Sequence, residues 1–268
     1  VAIPLSTMAR RANPRKREIV LRPVTLPTTL ASDLYAAAYA PIVNAWTEAE
    51  ARIMAEYERS LAELTTDSPQ SIGDVLASIE GGLAKLILTV RLRIGDWGAK
   101  AERTHRAKWR GAVKAATKVD IGTMIGPEAA RIPLGMAIER NVGLVKSVSD
   151  QTRQRIGEAV LRGLNARKPA REVAKEISEA TGMARRRALN VAADQTVKIT
   201  AQLNTNRAIE AGLEYYEWVH SGKLHPREEH RARNGQRFKY GEPSGDEPSD
   251  APFCGCTARA CLTLDGEF

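Results

Sequence analysis

Apolar residues recur at helical spacing from Leu34 to Leu203, and the pattern stops at Gly212. This change of period limits the fold more than any other feature. Apolar positions every three or four residues make amphipathic helices, whereas adjacent aromatic and β-branched residues make strand. The clearest stripe is Ile72, Val75, Leu76, Ile79, Leu83, Leu86, Ile87 and Val90. An earlier one, from Leu34 through Ile53 and Tyr57 to Leu64, predicts a helix over 30–64 with a kink at Pro41. The stretch Thr65-Thr66-Asp67-Ser68-Pro69 reads as a break. Further helices are expected over 70–94, 99–118, 149–165, 169–180 and 184–211. Gly95 and Gly98 would divide the first two, Ser149 would cap the third, and Thr181-Gly182 would end the fourth. Tyr215-Tyr216-Glu217-Trp218-Val219 then predicts a strand, paired with 236–240 or 257–264. The expected fold class is mainly α with a small α+β, loop-rich C-terminal module and an extended N-terminal arm.

Three segments follow. Residues 1–29 hold Pro4, Pro14, Pro23 and Pro27 and predict an extended arm without a core of its own. Residues 30–140 predict a helical domain, and 141–268 the rest. Between the last two, 119–145 is rich in Gly, Pro and Ile and predicts an ordered connector anchored by Ile121, Ile125, Ile132 and Leu134. No apolar run is long enough to span a membrane, and Val1 to Arg22 lacks the apolar core of an export signal.

The chain carries 40 Lys and Arg against 32 Asp and Glu, a net charge of +8. The excess lies in two places. Arg10, Arg11, Arg15, Lys16 and Arg17 sit in the arm. Lys100, Arg103, Arg106, Lys108, Arg110 and Lys114 sit on a helix with Glu102 as their only close acid. Such clusters predict contact with a polyanion, and non-specific binding of double-stranded DNA is the expectation for the helix. The arm has Val20, Leu21, Val24 and Leu26 beside its charges, so it is expected to dock on a protein partner.

All three cysteines, Cys254, Cys256 and Cys261, fall near the end of the chain. An odd, clustered set argues for free thiols or metal ligands rather than a disulfide framework. His225 and His230 precede them, and His230, Cys254 and Cys256 are the expected ligands should zinc bind. The alternative is packing, with the thiols as small apolar groups. His230 with Asn234 also resembles a fragment of a metal-dependent nuclease site. Asp246, Glu247 and Asp250 fall in a turn-rich loop that the sequence predicts to be mobile, and they form no dense carboxylate cluster. No phosphate-binding loop and no G-x-S-x-G elbow occur.

Residues 141–264 resemble the phage Mu F-like minor head protein family of tailed-phage head morphogenesis proteins. The resemblance rests on an ordered series. Asn141-Val142-Gly143-Leu144-Val145-Lys146-Ser147 is similar to the family's lead-in, and two short helices and a long one with Asp194-Gln195-Thr196, Asn204 and Arg207 follow. Then come Gly212 and the strand with Trp218, Arg227-Glu228-Glu229-His230, Asn234-Gly235-Gln236-Arg237-Phe238, and Pro252-Phe253-Cys254-Gly255-Cys256. The chain departs at Ala193, where many members have Arg, and at Arg227 and His230, where many have C-x-x-C. Residues 1–140 share no such likeness.

The resemblance implies a non-enzymatic minor capsid protein, a low-copy part of the virion head, present in the host cytoplasm during assembly. Its partners would be the portal protein, the major capsid or scaffold protein and the packaged DNA, with no membrane. Asp194, Gln195, Asn204, Arg207, Trp218 and Arg227 would be structural motif residues. Asp194 and Gln195 would hold the strand-and-loop module to the helix by hydrogen bonds.

Overall fold

The computed structural model describes residues 4–63, 68–122, 124–242 and 246–264. The helices are α1 Leu5–Ala12, α2 Thr29–Leu34, α3 Ala40–Glu48, α4 Glu50–Glu63, α5 Ser68–Thr117, α6 Arg131–Asn165, α7 Ala170–Glu210 and α8 Glu228–Ala232. A π-helical turn, Tyr35–Tyr39, joins α2 to α3 directly before Pro41. A proline ring displaces the carbonyl four residues back, which accounts for the irregular turn at the position where the sequence places a kink. Four strands, β1 Glu18–Val20, β2 Tyr215–Val219, β3 Arg237–Lys239 and β4 Thr257–Thr263, form an antiparallel sheet in the order β1-β4-β2-β3. The architecture is mainly α with a small α+β part, as expected.

The compact units do not follow the three sequential segments. One consists of Val1–Leu30, Gly98–Ala137 and Asp194–Phe268, the other of Ala31–Trp97 and Ile138–Ala193. Each of α5, α6 and α7 contributes residues to both units.

Several expected helix breaks are absent, for one reason. Helices 70–94 and 99–118 are a single helix, α5, which already begins at Ser68. Residues 64–67 lie outside the described residues. Gly98 serves close packing instead of a break: a Cβ there would lie 3.4 Å from Leu134 Cδ2. Thr181-Gly182 sits inside α7, where the Thr181 hydroxyl donates to Glu50 Oε1 at 2.8 Å. A helical glycine costs about 1 kcal/mol, which tertiary packing outweighs. The connector is likewise half helical, since α6 starts at Arg131 with Pro133 in its first turn, where no backbone N–H is needed. Ile121 and Ile125 are buried, while Ile132 is exposed. Ser149 caps nothing; it lies within α6 and accepts a hydrogen bond from Trp46 Nε1 at 3.0 Å.

In the all-helical unit, Ile42, Trp46, Ile53, Tyr57, Ile72, Val90, Ile156 and Ile177 are among the buried side chains. Buried polar atoms are paired across it. Tyr39 donates to Asn141 Oδ1 at 2.8 Å, and Tyr57 to the Lys168 carbonyl at 2.7 Å. Gly163 allows the closest approach: a Cβ there would lie 2.5 Å from Val173 Cγ2 and 3.1 Å from the Tyr57 ring.

In the other unit the arm is not an arm. Leu5 and Ala9 of α1, Ile19 of β1, and Leu21 and Val24 are buried in one cluster with Trp109, Val113, Leu213, Ala260 and Leu262. β1 pairs with β4, Ile19 opposite Leu262. The prolines do exclude a long helix, but one short helix and one strand satisfy the backbone and bury the apolar residues. β2 alternates in burial, whereas β4 buries three consecutive residues, Ala260, Cys261 and Leu262. Tyr216 and Trp218 are buried with Cys254 and Cys256, while Glu217 lies opposite Arg237 and Arg259.

Candidate functional site

The site forms where the 246–256 loop meets α8 and β2. His230 is buried on α8, its ring edge-on to Trp218 with centroids 5.1 Å apart. Cys254 and Cys256 are buried beside it. His230 Nδ1 lies 3.4 Å from Cys254 Sγ and 3.6 Å from Cys256 Sγ, and the three donor atoms lie within 4.8 Å of one another. On the other side of the ring, Nε2 is 2.8 Å from Asp246 Oδ2. A carboxylate accepts, so Nε2 carries the proton and Nδ1 presents its lone pair to the sulfurs. Burial alone would raise the Asp246 pKa, but hydrogen bonds from His230 and Arg233 outweigh it and hold the carboxyl below its usual range. Burial pushes the Cys256 thiol up. The structure therefore gathers the three residues expected as zinc ligands. His225 is exposed and outside the group. Cys261 is buried on β4, its Sγ directed to the Arg259 carbonyl.

The thiol-bearing loop is fastened along its length, contrary to the mobility expected of it. Asp246 binds His230 and Arg233, and Glu247 accepts from Tyr216 Oη at 2.7 Å. Ser249 Oγ donates to the Cys256 carbonyl at 2.6 Å. Lys198 holds the Asp250 carbonyl, Arg227 the Pro252 carbonyl and Lys223 the Phe253 carbonyl. The Phe253 N–H donates to Asp194 Oδ1 at 2.7 Å, and Gln195 Nε2 donates to the other Asp194 oxygen at 3.1 Å. Phe253 has φ 57° and Ser249 φ 71°, left-handed values that non-glycine residues adopt only when their surroundings over-determine them. Asp194 and Arg227 thus meet at one loop although 33 positions separate them (227 less 194).

Asn204 and Arg207 belong to a second buried group in the same unit. Arg207 is paired with Glu102 at 2.6 Å and hydrogen-bonded to His105 Nδ1. His105 Nε2 faces Asn204 Oδ1 at 3.0 Å, and Asn204 Nδ2 donates to the Val24 carbonyl at 2.9 Å. With an arginine on Nδ1, the network assigns the imidazole proton to Nε2. Burial, then the Arg207 charge, holds the His105 pKa down at about 3. Burial also lowers that of Arg207, opposed by Glu102. Sequence reading takes Glu102 as an isolated counter-charge and His105 as one more basic residue. Their spacing of three, matched by Asn204 and Arg207, is the available signal of two helices sharing a polar patch.

The basic residues all lie in the unit that holds the sheet. Arg10, Arg11, Arg15, Lys16, Arg17, Lys100, Arg103, Lys108, Arg110 and Lys114 are exposed. Arg106 is half-buried, 3.4 Å from Glu102, and Arg110 binds Asp120 at 2.7 Å. Lys108 donates to the Thr25 carbonyl at 2.9 Å. Of the nuclease-like pair, His230 is 2% exposed, and Asn234 is occupied in accepting from the His220 N–H. Among the described residues no helix is long and apolar enough to cross a membrane.

Residues 150–259 match the family described as Phage Mu protein F like protein. Both buried polar groups draw on this region: Asp194, Asn204, Arg207, Trp218, Arg227, His230, Asp246, Cys254 and Cys256 all fall inside it. An uncharacterised protein of Haemophilus influenzae is 30% identical over 125 residues, which is 47% of this chain and 28% of that protein's length. The similarity thus spans less than a third of that relative. No solved structure matches the chain.

Proposed function

We propose that this chain is a head morphogenesis protein of a tailed phage: a non-enzymatic, minor component of the virion head. The match of residues 150–259 to the Mu F-like family carries this reading. The use made of the motif residues supports it. Asp194, Gln195, Asn204, Arg207 and Arg227 spend their polar atoms on fastening a loop and pairing two helices. A hydrolytic site needs a base poised over accessible space. His230 is enclosed and committed to Asp246, which weighs against the nuclease reading.

In this proposal the chain joins the head at the portal vertex and capsid interior, where the portal, major capsid or scaffold protein and the packaged DNA are its neighbours. The exposed Arg and Lys of 10–17 and 100–114 are its anionic-partner surface. Phosphate contacts carry no base information, so DNA binding is non-specific. Of the apolar residues first expected to dock the arm on a partner, Leu21 and Val24 are buried in the chain's own core, Leu26 is half-buried and Val20 is exposed. The arm's charges and Val20 are left at the surface for docking.

Co-expression with the other head proteins tests the proposal. The chain is expected to co-purify with DNA-free procapsids through size exclusion and a density gradient. Its absence from procapsids, together with metal-dependent cleavage of duplex DNA that is lost in His230→Ala, would replace this reading by the nuclease one.

A further inference from the structure

We propose that His230, Cys254 and Cys256 bind one zinc ion, and that the ion clasps the 246–256 loop to α8 and β2. The geometry of the donors carries the inference. A tetrahedral zinc with Zn–S near 2.3 Å and Zn–N near 2.0 Å separates its sulfur and nitrogen donors by about 3.5 Å. The two sulfur–nitrogen separations here are 3.4 and 3.6 Å. The single Nδ1 lone pair can accept a hydrogen bond from one thiol, so two sulfurs at that spacing from the same nitrogen exceed what thiol–imidazole hydrogen bonding needs.

The surroundings fit a metal as well. The carboxylate of Asp246 on Nε2 fixes the ring's tautomer and orientation, the outer partner that metal-bound histidines ordinarily have. Around the sulfurs lie N–H groups. The Cys256 amide donates to Cys254 Sγ at 3.4 Å, and the buried Trp218 Nε1–H is directed at the Cys256 sulfur in the same cluster. N–H groups aimed at sulfur bind a thiolate more strongly than a thiol. Gly255 completes the arrangement. A Cβ there would lie 3.1 Å from Ser221 Cβ and 3.2 Å from Lys223 Cε, so the C-x-C turn is packed closely enough that a side chain would make these neighbours shift.

Binding releases one proton from each thiol, the two thiolates and the neutral imidazole Nδ1 becoming the donors. Among the described residues no fourth His, Cys, Asp or Glu joins the group, so water completes the tetrahedron. Arg227 falls where the Mu F-like pattern has cysteine; its guanidinium holds the Pro252 carbonyl, bracing by hydrogen bond the loop that the ion would brace by coordination.

The test uses the full chain purified under reductant without chelator. Elemental analysis is expected to find about one zinc per chain. Cys254→Ser and Cys256→Ser should lose it, and Cys261→Ser, whose sulfur lies outside the group, should retain it. Cobalt exchanged into the wild-type chain should give the thiolate charge-transfer and d–d absorption of a tetrahedral site, a readout independent of whether the serine variants fold. Chelation should lower the thermal midpoint and open the loop to protease. Folded wild-type protein with neither zinc nor cobalt uptake would overturn the proposal. So would a Cys254–Cys256 disulfide in that protein, or equal metal loss in Cys261→Ser. None of these outcomes bears on whether the chain enters phage heads.

Discussion

At the residue scale, a buried ion pair is formed by residues that an inspection of charge assigns to the surface. Arg207 and Glu102 are both nearly fully buried. Removing one partner leaves an uncompensated charge in the interior, which costs about 3–5 kcal/mol. Arg207→Met is therefore expected to lower unfolding free energy in urea by about that amount, and Glu102→Gln in the same chain should restore part of it. His105 gives a pH signature. Its folded pKa, about 3, lies below the ordinary value of 6.5, so between those values the unfolded chain takes up the proton and the folded one does not. Stability from this group is complete above pH 6.5 and is lost as pH falls toward 3, at up to about 1.4 kcal/mol per pH unit. His105→Gln should flatten that part of the stability–pH curve measured by denaturant titration; an unchanged slope would show that His105 is not the group responsible. Asn204, Arg207, His230 and both cysteines were legible in the sequence as residues that belong together. Their partners Glu102, His105 and Asp246 were not: the matched spacing of three on two helices hints at the first two, but only tertiary contact shows which charged residues of an exposed-looking segment turn inward.

At the scale of elements, the periodicity identified helices, the aromatic run identified β2 and Gly212 marked the end of α7, but lengths were misjudged where Gly95, Gly98 and Gly182 were taken as punctuation. Gly98 and Gly163 are places where another side chain presses against a helix, and only the partner's position distinguishes that from a break. Gly163→Ala would put a Cβ against Val173 and Tyr57, and overpacking of this kind costs about 1–3 kcal/mol. Gly111→Ala, with nothing within 4 Å, should be neutral or slightly stabilising, and a pair of thermal melts checks the contrast. β1 escaped notice because a three-residue strand has too few residues to show alternation. The loop is the other element whose character came only from tertiary contacts. Asp194→Ala removes a carboxylate from the Phe253 N–H, a charge-assisted bond worth about 1.5–3 kcal/mol. Hydrogen exchange should rise across 250–256 while the buried core of α7 stays protected.

At the scale of the whole molecule, a +8 charge with basic clusters that face solvent supports the proposed anionic partners. Binding to random duplex DNA should weaken with salt along a log–log slope of about −0.9 per phosphate contacted. Neutralising Lys100, Arg103 and Lys114 together should reduce that slope by up to about 3. Composition made this visible from the start, whereas the division into two units, each drawing on α5, α6 and α7, was not. Contacts between segments more than two hundred residues apart, such as Leu21 with Ala260 and Ile19 with Leu262, leave no trace in local pattern. The proposed role requires this chain to be present in phage heads. Quantitative mass spectrometry of gradient-purified particles measures that. The chain is expected in heads at a low, reproducible ratio to the major capsid protein. Its absence from purified heads, while abundant in the lysate from which they came, would contradict the role.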